Sequence, residues 1–179
     1  MKKGLILFSL TFILSINIKA QKIIVNGQES DGKLSWNDFT GKIDNQSSFA
    51  AYTAYKFKTK ISSIEFVGDS AIVKGFEISI ELDSQKSWAK PDEIYDELLI
   101  HEQGHFDIGI LTMNEIIEKV EKASFTKRNI KKLLQSIVDE ASKKYSEMDT
   151  RYDEETNHAN NREVQNKWNI FFSEQLAIK

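Results

Sequence analysis

The chain has 179 residues, no cysteine and a formal net charge of −3, and these three features limit what it can be. Without cysteine there is neither a disulfide nor a lipidated N-terminus, so an apolar core must stabilise the fold, and an apolar content of 40% permits one. The length corresponds to one domain. The acidic balance argues against nucleic acid or an anionic membrane as the main partner.

The first twenty residues have the composition of a secretory signal peptide. Two lysines follow the first methionine, residues 4–18 are almost wholly apolar, and an alanine stands at position 20. The apolar run is short for a spanning helix, although an uncleaved membrane anchor is the alternative interpretation. We expect residues 1–20 to be removed and residues 21–179 to form a single exported domain, periplasmic or extracellular, that is not membrane-bound. It would carry 21 basic and 27 acidic residues.

Strand patterns dominate residues 21–90. A short strand is predicted at Lys22–Val25, and the clearest strand is Ala71–Leu82, where apolar and polar side chains alternate. The alternation changes phase near Gly75, which indicates a bulge. We interpret Tyr52–Leu82 as an antiparallel meander with one solvent-exposed face.

The pattern changes to a helical period in residues 91–179. The only proline opens the first predicted helix, which runs to about Ala123. A second helix is predicted from near Thr126, with a break within Arg151–Asn161, and a third from Arg162 to about Leu176. The predicted fold class is therefore α+β, with an N-terminal antiparallel β-meander followed by one long helix and two further C-terminal helices.

The first predicted helix contains the H-E-x-x-H motif His101-Glu102-Gln103-Gly104-His105. Residues four apart lie on one helix face, so both imidazoles can bind one Zn²⁺. The carboxylate between them can then reach a metal-bound water. The alternative is two partly exposed histidines without a metal. The apolar and small residues that share the histidine face indicate that it is buried, and buried histidines need a partner; these residues are Leu98, Gly109, Thr112 and Ile116.

A catalytic zinc usually has three protein ligands and one open position, and the only other histidine is His158. It lies 53 residues beyond His105, which excludes the short metzincin spacing but fits a chain that returns along a second helix. Asp153, Glu154 and Glu155 are rival ligands, because carboxylates also bind zinc. We predict a break in the second helix and His158 as the third ligand.

Tyr152 and Gly104 have two interpretations each. With His158 on the metal, the Tyr152 phenol would lie near the zinc, where it could donate a hydrogen bond to a developing oxyanion. Its alternative role is that of a core tyrosine. Gly104 lies in mid-helix at a cost of about 1 kcal/mol relative to alanine, which indicates a close approach by a strand, a substrate or another packed element.

Four segments, through their order and spacing, carry a resemblance to a known family, namely Leu34–Gly41, Ala50–Thr53, His101–Asp107, and Tyr152–His158 with Gln165 and Trp168 after it. The chain resembles bacterial proteins catalogued as a domain of unknown function and described as secreted zinc-dependent proteases. The His101–Asp107 segment is the most specific part, and Ala159 stands where we expect glycine. The resemblance implies a zincin-like peptidase domain, with a zincin-like metal helix, but supplies no substrate.

We therefore predict a secreted or periplasmic zinc-dependent metallopeptidase that cuts a peptide or protein substrate. Zn²⁺ would be held by His101, His105 and His158, with Glu102 as general base and Tyr152 as oxyanion donor. Zincin substrates lie extended along a sheet edge, and the predicted 71–82 strand is the candidate edge.

Two alternatives belong to other classes of protein. One is a non-catalytic envelope protein with a structural or partner-binding zinc, which a fourth protein ligand such as Asp153 or Glu155 would favour. The other is a metal-free helical interaction domain, in which the H-E-x-x-H motif is a coincidence.

Overall fold

The computed structural model describes residues 21–177 and confirms the predicted α+β class. A mainly antiparallel sheet comes first and three long helices follow. The predicted signal segment, residues 1–20, lies outside the described residues. None of the described helices combines the length and hydropathy that a membrane crossing requires.

Within residues 21–177, six strands form two sheets. They are β1 Gln21–Val25, β2 Gln28–Glu29, β3 Ala51–Tyr52, β4 Tyr55–Val67, β5 Ser70–Leu82 and β6 Trp88–Ala89. The larger sheet has the order β2-β1-β5-β4, and β3 pairs with β6 in a separate two-stranded sheet. The two long strands, β4 and β5, form one antiparallel hairpin, whereas β1 joins β5 in parallel. Because β5 pairs with β4 along its length and with β1 at Ile78–Glu81, the Ala71–Leu82 strand predicted to bind substrate is not an edge strand.

Buried side chains occur along the whole of β5. Ala71 and Val73 are buried in the first half, and Phe76, Ile78, Ile80 and Leu82 in the second. The buried set changes phase at Gly75, whose φ of +59° is accessible mainly to glycine. The phase change that the sequence indicated is thus confirmed. The predicted bulge is wrong, because β4 and β5 keep one register on both sides of Gly75 and neither strand has an inserted residue.

In the part of the chain that the structure describes, three long helices cover the sheet, α1 Asp96–Lys122, α2 Ile130–Thr156 and α3 Arg162–Ala177. The first begins later than predicted. The proline opens a separate short 3₁₀ turn, Pro91–Glu93, and Ile94 and Tyr95 are extended, with ψ of 139° and 168°. Helix α1 then packs between the sheet and the other two helices, so its buried residues extend around most of its circumference.

Gly109 allows α1 to lie directly on the sheet. A Cβ at this position would be 2.5 Å from Ile80 Cδ1 and 2.9 Å from the Tyr55 ring. Contacts that short require a shift of the neighbours, so glycine here sets the distance between α1 and the two long strands. The H-E-x-x-H motif lies one turn earlier on the same helix.

The second helix ends inside the segment where the sequence predicted a break. It continues through Tyr152 to Thr156, and only then do three consecutive residues, Asn157, His158 and Ala159, adopt φ of 49°, 49° and 71°. The break predicted within Arg151–Asn161 is therefore confirmed, and it lies at Asn157–Ala159. The left-handed turn reverses the direction of the chain and brings His158 back towards α1.

Candidate metal centre

His101 and His105 point their side chains from α1 towards the same point. Their Nε2 atoms lie 3.3 Å apart, His101 is 2% exposed and His105 is partly buried. The face they share is buried, as predicted, at Leu98, Gly109 and the residues that follow it along the helix. The four-residue spacing therefore presents two imidazole nitrogens to one place in the interior.

Asp153 supplies a third donor from α2. Its Oδ1 lies 3.1 Å from Nε2 of His101 and 3.1 Å from Nε2 of His105. Two ligands of a tetrahedral zinc with bonds of about 2.0–2.1 Å are separated by about 3.3–3.4 Å. The three atoms thus already have nearly the mutual spacing that one face of such a site requires.

His158 reaches the same centre from the left-handed turn. Its Nδ1 lies 3.3 Å from Asp153 Oδ1, and its side chain is 46% exposed. His101, Asp153 and His158 each offer a ligand atom within 4.8 Å of the others, so these residues could hold a metal ion. From the sequence, His158 and Asp153 were alternative ligands, whereas the structure brings both to the site.

The other two rival carboxylates lie elsewhere. Glu155 accepts a hydrogen bond from Trp168 Nε1 at 2.9 Å, and Glu154 is exposed to solvent. Helix geometry explains the difference, because Asp153 lies on the α2 face that meets α1 and its two successors do not. Of the three carboxylates considered, only Asp153 belongs to the centre.

Two residues outside the donor set orient the imidazoles. His105 Nδ1 donates to Asp149 Oδ1 at 2.7 Å, and His101 Nδ1 lies 3.1 Å from Gln165 Oε1. The Gln165 amide nitrogen is already donated to Tyr152 and Asn169, so its oxygen must be the acceptor. With a metal bound, both rings would keep their proton on Nδ1 and offer the Nε2 lone pair to the metal.

The sequence did not single out Asp149. Its only signal was a position four residues before Asp153, which places both carboxylates on one face of α2. Gln165 entered only through the family resemblance. Both are long-range partners of the motif, and the packing of α2 and α3 on α1 determines their positions.

Asp149→Asn is expected to weaken metal binding by about 10- to 100-fold, the usual cost of losing an outer partner of a ligating histidine. The amide could still accept from His105 Nδ1, but it would not carry the negative charge that makes the imidazole a stronger ligand. Competition with a chelator of known affinity measures the change. Asp139→Asn, on an exposed part of the same helix, is the matched control and should leave the affinity unchanged.

Charge at the centre favours a cation. Burial lowers the pKa of His105, but hydrogen bonds to Asp149 and Asp153 raise it, and the result is a pKa of about 10. Burial raises the pKa of Asp153, while hydrogen bonds from His101 and His105 lower it well below its usual range. The carboxylates therefore stabilise positive charge among the imidazoles, whether a proton or a metal ion carries it.

Glu102 lies in the wall of the same site. The side chain is 3% exposed, and Thr53 Oγ1 donates to its Oε2 at 2.6 Å. Thr53 directly follows β3, so the small two-stranded sheet fixes the direction of this carboxylate. Sequence reasoning noted the segment Ala50–Thr53 only as part of the family resemblance and did not predict this contact.

The geometry of Tyr152 corrects its predicted role as an oxyanion donor. The residue is 0% exposed, and its ring stacks on His101 with centroids 4.7 Å apart. Its hydroxyl donates to the His101 carbonyl at 3.0 Å and accepts from Gln165 Nε2 at 2.7 Å. The hydroxyl proton is thus engaged inside the protein. Tyr152 is a core residue that positions His101, which was the alternative interpretation.

Gly104 is required by that tyrosine. A Cβ at position 104 would overlap the Tyr152 hydroxyl and ring. Gly104→Ala gains about 1 kcal/mol of helix propensity but loses about 1–3 kcal/mol to overpacking, so we expect a net loss of stability and weaker metal binding. Thermal unfolding measures the first effect.

A double-mutant cycle isolates the contact between these two residues. In a Tyr152→Phe background the overlap with the hydroxyl is removed, so Gly104→Ala should cost less there than in the parent protein. An equal cost in both backgrounds would show that the glycine serves some other purpose.

The centre forms part of the lining of an open cleft of about 1240 Å³. Residues 48–56 and residues 92–95 line it, together with His101, Glu102 and His105. Asp149, Asp153 and His158 also contribute to its surface. A cleft of this size accommodates several residues of an extended polypeptide.

Comparison with known proteins yields one match. Residues 25–159 match the family described as "Bacterial protein of unknown function (DUF922)", which covers all the residues of the centre except Gln165. Neither curated proteins nor solved structures yield a match. The family description names no activity, so the match supports the resemblance to a bacterial family of unknown function and leaves the activity to be argued from the site.

Proposed function

The chain belongs to this bacterial family of unknown function, and from the geometry of its centre we propose that it is a zinc-dependent metallopeptidase. One observation carries the proposal. The candidate metal donors and Glu102 lie together in the lining of an open cleft rather than in a closed interior. A metal that only stabilises a fold needs neither the cleft nor an adjacent carboxylate.

In this proposal His101 and His105 bind zinc through Nε2, and Asp153 through Oδ1. Imidazole and carboxylate are ordinary zinc ligands, and the observed separations of 3.1 and 3.3 Å suit them. When bound, zinc would supply a Lewis acid and a water whose pKa is lowered towards about 7. Three protein donors would leave one coordination position for that water.

The chain's own residues perform the remaining steps. Glu102 takes a proton from the attacking water and later gives it to the leaving amine, while Thr53 holds its carboxylate in the required direction. Asp149 and Gln165 keep the imidazoles oriented. His158, half-exposed in the cleft, can donate a hydrogen bond to the oxygen that becomes negative as the peptide bond is attacked.

The substrate strand is expected beside β3 rather than β5. Ala50 and Ala54 use their carbonyls to accept from Lys90 and Asp83, both at 2.8 Å. Main-chain groups alternate in direction along an extended chain, so those of Ala51 and Thr53 face the opposite side of β3. Among the described residues, no strand pairs with that side of β3, so a peptide could add to it next to Glu102.

A second candidate function has its own supporting observation. His158 Nδ1 lies 3.3 Å from Asp153 Oδ1, and His101, Asp153 and His158 each offer a ligand atom within 4.8 Å of the others, so His158 could become a further ligand. Four protein ligands would close the coordination sphere, and the zinc would then be structural. The side chain of His158 is exposed at the surface of the cleft, so a contact between it and the metal would be easily displaced. This favours the enzyme over the structural zinc site.

The purified protein, stripped of metal and reloaded with one equivalent of zinc, tests the function. Mass spectrometry of a mixed peptide library should show cleavage that a chelator abolishes and zinc restores. Metal analysis of the same sample should give about one zinc per chain. Tight stoichiometric zinc without cleavage of any peptide would support the structural alternative, and no zinc binding would end both proposals.

We also propose that the protein acts outside the cytoplasm, because residues 1–20 have the composition of a signal peptide. Expression of the full chain in a bacterial host should yield protein in the periplasm or the medium whose first residue is Gln21. Full-length protein retained in the membrane fraction would indicate the uncleaved anchor instead.

A further inference from the structure

Exposed apolar side chains are concentrated at the candidate cleft. Four of the nine large apolar side chains exposed among the described residues line it, which is more than scattered exposure would place there. Residues 48–56 contribute Phe49 and Tyr52, and residues 92–95 contribute Ile94 and Tyr95, each 40–52% exposed. Single exposed apolar residues are ordinary, but a cluster lining a concave site indicates a binding surface.

The aromatic rings are placed close to the proposed chemistry. Tyr52 immediately precedes Thr53, whose hydroxyl holds Glu102, and Phe49 lies against the His158 ring with centroids 4.9 Å apart. Tyr95 directly precedes the first residue of α1, six positions before His101. In a bound peptide, the side chains on either side of the bond to be cut would therefore contact apolar surface within one or two residues of the metal centre.

Charge narrows the choice of ligand further. The cleft lining contains two lysines and six carboxylates, those of Asp83, Asp92, Glu93, Glu102, Asp149 and Asp153. Glu93 is paired with Lys90 at 3.4 Å and Asp149 with His105 at 2.7 Å, and both lysines of the lining are paired as well. Lys56 lies 3.5 Å from Glu81, and Lys86 lies 3.6 Å from Asp83. The surface around the centre is thus left with negative charge, which repels acidic peptides.

We propose that the cleft selects extended, non-acidic peptide segments with bulky aliphatic or aromatic side chains beside the bond to be cut. This inference rests on the proposed metallopeptidase function and specifies its substrate class. The apolar side chains of the peptide cover Phe49, Tyr52, Ile94 and Tyr95, and its backbone adds to the free side of β3. Acidic residues next to the bond are disfavoured.

Binding can be tested apart from catalysis with the zinc-loaded Glu102→Gln variant. Three fluorescent decapeptides would be compared by anisotropy, identical except for a central Phe-Leu, Ser-Ser or Asp-Glu pair. The Phe-Leu peptide should bind at least about tenfold more tightly than the Ser-Ser peptide, because two apolar side chains leave water. The Asp-Glu peptide should bind most weakly of the three.

Two substitutions locate the effect. Tyr52→Ala and Tyr95→Ala should each raise the Kd of the Phe-Leu peptide by about five- to thirtyfold and leave the weak Ser-Ser binding almost unchanged. Phe66→Ala is the matched control, because Phe66 is 51% exposed, close to the 52% of Tyr52, but lies on the hairpin away from the cleft lining. The control should bind both peptides as the parent does.

Equal binding of the three peptides, no binding of any, or equal effects of the Tyr52 and Phe66 substitutions would overturn the proposed substrate class. None of these results bears on the metallopeptidase itself, which depends on zinc-restored cleavage by the parent protein. A parent that cuts polar or acidic peptides equally well would likewise reject the selectivity while supporting the enzyme.

Discussion

Asp153→Ala is expected to lower the zinc affinity of the protein by more than about 100-fold, beyond the range typical of outer partners of a metal ligand. The reason is geometric. Asp153 Oδ1 lies 3.1 Å from both His101 Nε2 and His105 Nε2, so its removal opens one corner of the donor triangle. Removal of the carboxylate also takes away the negative charge that faces both imidazoles.

His158→Ala should weaken zinc binding far less than Asp153→Ala. Its Nδ1 is 3.3 Å from the Asp153 oxygen, and its side chain is 46% exposed on a left-handed turn, where a ligand is easily displaced by water. Chelator competition on the two variants measures the contrast, and Glu154→Ala, an exposed neighbour on α2, is the control for the substitution itself.

The opposite ranking would be informative. If His158→Ala loses as much affinity as Asp153→Ala, the zinc has four protein ligands and the structural alternative gains support. If His158→Ala alone abolishes binding while Asp153→Ala retains it, the ligand set would be the three histidines that the sequence predicted. Circular dichroism of each apo-variant separates loss of metal from loss of fold.

Local patterns were enough to find the centre but not to complete it. His101, Glu102 and His105 lie on one turn and a half of α1, and the 3.6-residue period alone places both imidazoles on one buried face. Thr53, Asp149 and Gln165 come from three other elements. Their roles depend on how β3, α2 and α3 pack on α1, which periodicity does not specify.

The end of α2 shows a second limit of sequence reasoning. Asn157, His158 and Ala159 all have positive φ, yet none is glycine, so composition indicated a break within Arg151–Asn161 but not the residues that form the turn. At Ala159 the left-handed conformation costs about 1–2 kcal/mol. The methyl group, 4% exposed and packed near Ala51 and Leu98, recovers about 0.8 kcal/mol by burial. This balance explains how alanine is tolerated where glycine was expected.

The sheet illustrates the same distinction. Alternation in β5 located the strand, and the change of phase located Gly75, because both are properties of a single strand. Pairing is a property of two strands. The parallel addition of β1 to Ile78–Glu81 covers the edge that alternation alone left open. The expected substrate edge therefore moved from β5 to β3.

Glu102→Gln is expected to retain zinc and lose peptide cleavage by at least about 10²- to 10⁴-fold, the contribution typical of a general acid–base group. The amide has the shape of the carboxylate, and its oxygen can still accept the hydrogen bond from Thr53, so stability should change little. It cannot take a proton from the attacking water. Steady-state cleavage, zinc content and thermal unfolding of the same preparation measure the three quantities.

Thr53→Val separates the carboxylate from its support. Valine matches the shape of threonine but donates no hydrogen bond to Glu102 Oε2, so the base remains but is held less firmly. We expect an intermediate loss of cleavage, smaller than that of Glu102→Gln, with zinc affinity unchanged. Full turnover in Glu102→Gln would exclude the general-base mechanism. Loss of zinc in that variant would instead make Glu102 a ligand. Because these outcomes are distinct, the pair of variants decides whether Glu102 acts as a general base or as a metal ligand.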